Sequence, residues 1–135
     1  MGRFGYLFSK TGDTSSPFSF TSFVTAAAGA TITPTSAVAD VFSAEEAIIE
    51  MMATPAGAST STITFNWLGR AHPGMTWPTV ADFSTTLVLV DDSEGQCQNK
   101  LVDMVPYYEI KLLSIVNGDG ENALTDVNCW IGYKH

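Results

Sequence analysis

The sequence predicts an all-β protein: a two-sheet antiparallel β-sandwich, jelly-roll-like, with an extended N-terminal arm. Three observations carry this. Short runs of period-2 alternation recur along the chain, separated by Gly, Pro, Asn, Asp and Ser. Apolar residues make up 45% of the 135 and charged residues only 15%, while Ser and Thr, which suit exposed strand faces and turns, are abundant. The stretch 105–135 holds two long amphipathic segments around a polar, glycine-containing loop. A chain of this length buries one independent core, and about eight strands with turn chemistry between them fit one sandwich.

Taken in order, residues 1–17 form the arm and 18–135 the sandwich domain. In the arm, Phe4, Tyr6 and Phe8 alternate with Gly5 and Leu7, and a polar, turn-rich segment, 9–17, follows. Three aromatic rings on so short a segment need burial against their own domain or a neighbouring subunit. Residues 18–25 read as a strand with a phase change near Ser22. Short strands follow at 30–33, stopped by Pro34, and at 37–42. The segment 43–54 is ambiguous, because Ser43-Ala44-Glu45-Glu46 has the form of a helix capping box and Ala47, Glu50, Met51 and Met52 are good helix formers. Its place among β segments decides for a strand, with Ala47, Ile49 and Met51 on one face. After a loop at 55–61, the run 62–68 puts Ile63, Phe65 and Trp67 on one face. A long connection, 69–83, leads to a buried strand at 85–90, a polar excursion at 91–99, and a lead-in at 101–105.

The two C-terminal segments complete the pattern. In 105–112, Tyr108, Ile110 and Leu112 point one way and Glu109 and Lys111 the other, and 113–116 continue with a phase slip of the kind a bulge gives. Residues 117–122 supply reversal chemistry. In 123–134, Val127, Cys129, Ile131 and Tyr133 share a face and Trp130 lies on the polar side. The pair is expected to fold back on itself as a hairpin that a second sheet covers.

Composition narrows the function. With 14 acidic and 6 basic residues the net charge is −8, so the chain cannot assemble the basic surface that nucleic acid or an acidic membrane requires. No transmembrane run or signal peptide is expected. Cys97 and Cys129 lack close spacing and are expected as reduced thiols. The histidines are His72 and His135, and no nucleophile elbow, His-Glu-x-x-His pair or phosphate-binding glycine loop occurs. The chain therefore reads as a non-enzyme with no catalytic residue. The loops 117–122 and 91–95 share part of a calcium loop's alternation of oxygen ligands and glycine, but not its full ligand set. A turn accounts for the same residues, so no metal or cofactor is expected. Trp67 belongs to the core. Trp77, between Thr76 and Pro78 in a loop, is the exposed aromatic candidate, as an interface anchor before a sugar platform. With Phe4, Tyr6 and Phe8 it makes up the expected oligomer or partner interface.

The run Thr62-Ile63-Thr64-Phe65-Asn66-Trp67-Leu68-Gly69-Arg70, then Trp77, then Asp103-x-Val105-Pro106-Tyr107-Tyr108-Glu109-Ile110-Lys111-Leu112 resembles the small β-sandwich virion proteins of tailed bacteriophages, especially capsid decoration (cement) proteins. The resemblance covers about residues 46–134 as a pattern rather than a motif. It implies a structural viral protein, assembled in the host cytoplasm, that sits on the capsid exterior as a homotrimer or other homo-oligomer. There it would bind the major capsid protein and clamp neighbouring capsomers. A phage tail or baseplate component using the same sandwich, and a carbohydrate-binding module centred on Trp77, are the alternatives.

Overall fold

The computed structural model describes residues 18–42 and 44–134. The arm residues Phe4, Tyr6 and Phe8 lie outside the described residues. Among those described, the chain forms ten strands and no helix: β1 (Phe18–Ser19), β2 (Val24–Ala26), β3 (Thr31–Ile32), β4 (Val38–Asp40), β5 (Glu46–Pro55), β6 (Thr62–Arg70), β7 (Phe83–Val88), β8 (Gln96–Asp103), β9 (Glu109–Asn117) and β10 (Leu124–Lys134). They build two five-stranded antiparallel sheets. One runs β1-β10-β5-β8 with β2 also on β10; the other runs β3-β9-β6-β7 with β4 also on β9. Since β1 and β2 share one edge and β3 and β4 another, successive positions alternate between sheets except at the β6–β7 hairpin. This is jelly-roll winding.

Alternation explains the packing. In β5, Ala47, Ile49, Met51 and Ala53 are fully buried while their neighbours are only half-buried. The segment is a strand despite its helical propensity, because β10 and β8 pair with it along its two sides. Facing it across the core are Ile63, Phe65 and Trp67 of β6, Leu87 of β7, and Ile110, Leu112 and Ile115 of β9, with Val127, Cys129 and Ile131 of β10 beside it. The phase slip in β9 is a bulge: Asn66 pairs with Ser114 and Trp67 with Leu112, leaving Leu113 extra. Trp67 sits at the centre. Phe20 meets it edge-on at 4.6 Å, Phe83 stacks at 6.1 Å, and its indole N–H donates to the buried Thr85 hydroxyl at 2.9 Å.

Three expectations are corrected. The C-terminal segments do not pair as a hairpin: β9 joins β6 in one sheet and β10 joins β5 in the other. Each is apolar on one face only, and the sandwich sets those faces against each other across the core instead of side by side. The crossing is fixed at Gly118, whose N–H donates to Thr62 C=O at 3.2 Å and where any Cβ would collide with that carbonyl. The polar excursion is half strand. β8 takes Gln96–Asp103 as an edge strand, its polarity reflecting that much of it is exposed. Tyr108 precedes β9 and turns outward, half-buried, while Tyr107 packs on Phe83 at 5.5 Å and covers Gly69, where a Cβ would meet its ring.

Phe65 lies in the middle of β6 with no exposure. Phe65→Ala is expected to destabilise the protein by about 3–5 kcal/mol through lost burial and the cavity left behind. Urea unfolding followed by tryptophan fluorescence measures it.

Candidate functional site

Jelly-roll winding sends the connections 41–45, 71–82 and 104–108 to one end of the sandwich, where β1 also begins and β10 ends. Backbone bonds tie these loops together. Val41 N–H donates to Tyr108 C=O (2.9 Å), Met104 N–H to Glu45 C=O (3.0 Å) and Tyr108 N–H to Arg70 C=O (2.8 Å). Two aspartates shape the tips. Asp40 Oδ1 accepts from Phe42 N–H at 3.0 Å and Asp103 Oδ1 from Val105 N–H at 2.9 Å, so an apolar residue projects two positions after each. Phe42 and Val105 are 66% and 72% exposed, and Met75 and Val80 of the 71–82 loop are also exposed. Tyr108 lies beside Phe42, ring centroids 4.6 Å apart, with His72 next at 6.3 Å. Apolar groups held on rigid turns at one end of a domain are the raw material of a protein interface.

Trp77 is placed differently from the expectation of a free loop aromatic. It is half-buried against the outer face of the β6–β9 sheet, with Arg70 Cζ 4.3 Å and Lys111 Nζ 4.6 Å from its ring centre. Arg70 is itself fixed by Glu109 (Nη2–Oε1 2.7 Å) and by donating to Met75 C=O at 2.7 Å. The indole is thus a brace that holds the 71–82 loop to the sheet. At this end of the sandwich the exposed aromatic is Phe42, which sequence pattern did not single out. Its signal was Asp40 two residues earlier, an Asx turn that ends a strand and leaves the next apolar residue outside.

The remaining candidates for chemistry resolve into structure. His72 Nδ1 accepts from Gly74 N–H at 3.0 Å, in a local turn. The thiols are free, Cys97 exposed and Cys129 buried. Desolvation and then Glu50, 3.7 Å away, push the Cys97 thiol up, the reverse of an activated nucleophile. The loop 117–122 is a satisfied polar knot. Buried Asp119 takes Glu121 N–H (2.8 Å) and Asn122 N–H (3.1 Å) on Oδ1 and the Asn122 amide (2.9 Å) on Oδ2. Asn117 donates to the Ala27 and Asn122 carbonyls. Asp119's oxygens face donors, as a turn requires and a cation site does not. Among the described residues no group of three or more His, Cys, Asp or Glu is placed to hold a metal. On the open side of the sandwich a groove of about 440 Å³ runs between β2 and β3, lined by Phe23, Val24, Thr25, Ile32, Thr33 and Pro34.

No protein-family model matches the chain, and no curated protein matches it either.

The knot makes a pH prediction. Hydrogen bonds from the Ser59 hydroxyl, Asn122 and the Glu121 backbone hold the Asp119 carboxyl well below the usual carboxylate range. Its folded pKa lies below its unfolded value of about 3.9, so its contribution is whole above that pH and is lost as pH falls below it. Thermal melts of the parent protein and of Asp119→Asn should therefore differ at pH 6 and converge toward pH 2. EDTA should leave the parent's Tm unchanged, whereas a fall reversed by calcium would make the loop a ligand site.

Proposed function

We propose that this protein is a non-enzymatic structural virion protein: a capsid decoration protein that clamps neighbouring subunits by the loop end of its sandwich. The observation that carries the reading is the gathering of Phe42, Val105, Tyr108 and Met75 on hydrogen-bonded turns at one end of the sandwich. A partner seated there would bury these apolar groups at once. The net charge of −8 suits a surface turned to water and away from packaged DNA. The thiol of Cys97, pushed up rather than down, speaks against that cysteine as a nucleophile. In this reading the partners are further copies of the chain and the major capsid protein, and the location is the capsid exterior. The resemblance described above supplies the virion; the site supplies only a protein partner. A tail component would use the same end. A carbohydrate module would need Trp77 released from Arg70 and Lys111, which makes it the weaker reading.

Deleting residues 2–12, and separately replacing Phe42 and Val105 by Ser, tests this. Each variant should keep the parent's circular dichroism but lose oligomerisation or co-sedimentation with phage heads. Co-sedimentation with tails instead would select the tail component. Variants that assemble like the parent would overturn the loop-end reading, and a deletion that only lowers Tm would assign the arm to its own domain.

A further inference from the structure

β7 closes one side of its sheet: β6 pairs with it along one edge, and among the described residues no strand of that sheet lies beyond. The segment Thr85-Thr86-Leu87-Val88-Leu89-Val90 has no charge, proline or glycine. Left open, such an edge templates pairing with another chain. Its outward side chains add to the hazard, since Val88 and Val90 are 48% and 62% exposed. Antiparallel self-pairing about Val88 would set Thr86 of each copy opposite Val90 of the other, with no like charges in register.

The edge is occupied, however, by side chains of the other sheet. Gln98 of β8 accepts from Val88 N–H through Oε1 at 3.1 Å and donates from Nε2 to Val88 C=O at 2.6 Å. Gln96 accepts from Val90 N–H at 2.7 Å and donates to Val90 C=O at 3.1 Å and Asp92 C=O at 3.2 Å. A primary amide carries the same donor and acceptor as a peptide unit. The two glutamines are two residues apart on β8 and their targets are two apart on the other side, so both amides leave one face of β8 and meet one edge. We propose that Gln96 and Gln98 are a strand-mimicking latch that seals the β7 edge against pairing with a second copy of this chain. The latch also couples the two sheets where no backbone ladder joins them.

The test uses the full chain with Gln96→Ala and Gln98→Ala together. Amide hydrogen exchange by NMR should accelerate at Val88 and Val90 on the order of tenfold or more, as the loss of a hydrogen bond allows. Leu89, whose N–H donates to Ser61 C=O, should keep its protection. Sedimentation velocity should show concentration-dependent association beyond the parent's state. Adding Val88→Lys, which puts a charge on the edge, should return sedimentation to the parent's while exchange stays fast. Should the double variant fail to fold, Gln98→Ala alone, read at Val88, decides. Parent-like exchange at Val88 and Val90, no added association, or association that survives Val88→Lys would each overturn the proposal.

Discussion

The fold depends on the parting of β9 and β10. Both are long, both are apolar on one face, and only a loop of a few residues joins them. The polar knot of Asn117, Asp119 and Asn122 replaces the simple reversal that would have kept them neighbours. Asn117 reaches back to Ala27, Asp119 C=O accepts from Gly29 N–H at 2.8 Å, and Ala56 N–H donates to Ala123 C=O at 2.9 Å, so three connections are stitched at this end. Once β9 and β10 lie in opposite sheets, β5 and β6 can pair with them separately, and the remaining strands have edges to join. Buried polar groups of this kind are worth having only when fully satisfied, and here each oxygen of Asp119 meets a donor.

Both ends of the sandwich carry exposed acidic residues, Asp91, Asp92, Glu94 and Glu121 on the knotted connections and Asp40, Glu45 and Asp103 at the loop end. The loop end also carries Phe42, Val105, Met75 and Val80. Its loops are nonetheless tied by backbone bonds and by the Arg70–Glu109 pair, with Trp77 under Arg70 and Lys111. Such a surface is organised before any partner arrives, which limits the ordering entropy that binding would otherwise cost.

Residue pattern showed most of this where one face of a strand is buried and the other is not. Ile63, Phe65 and Trp67 alternate because β6 is sandwiched on one side only, and all three are fully buried as expected. Even the segment 43–54 was legible as a strand, despite its helix formers, from its place among β segments, and β5 takes up most of it. β8 was not, since an edge strand whose polar side chains do structural work has no hydrophobic period to detect. The sheet partners of β9 and β10 were hidden for a different reason: period-2 alternation says which face is buried and nothing about which strand lies alongside. At the loop end, Trp77 drew attention by its type, whereas its brace role arises from Arg70, where the same loop begins, and from Lys111, distant in sequence. Phe42 and Val105 are exposed only because of the turns that Asp40 and Asp103 set, a local geometry that hydropathy does not encode.

The placement of the two thiols makes the protein its own reporter. Cys97 lies between Gln96 and Gln98 on an exposed strand, whereas Cys129 is closed into the core. A fluorophore or spin label coupled under native conditions would therefore enter at one position, beside the seam between the sheets. Because the Cys97 thiol is held above its usual range, coupling should quicken as the solution is made more alkaline. Any label found on Cys129 would then count the molecules whose core had opened, so that one reagent times two separate motions of the same sandwich.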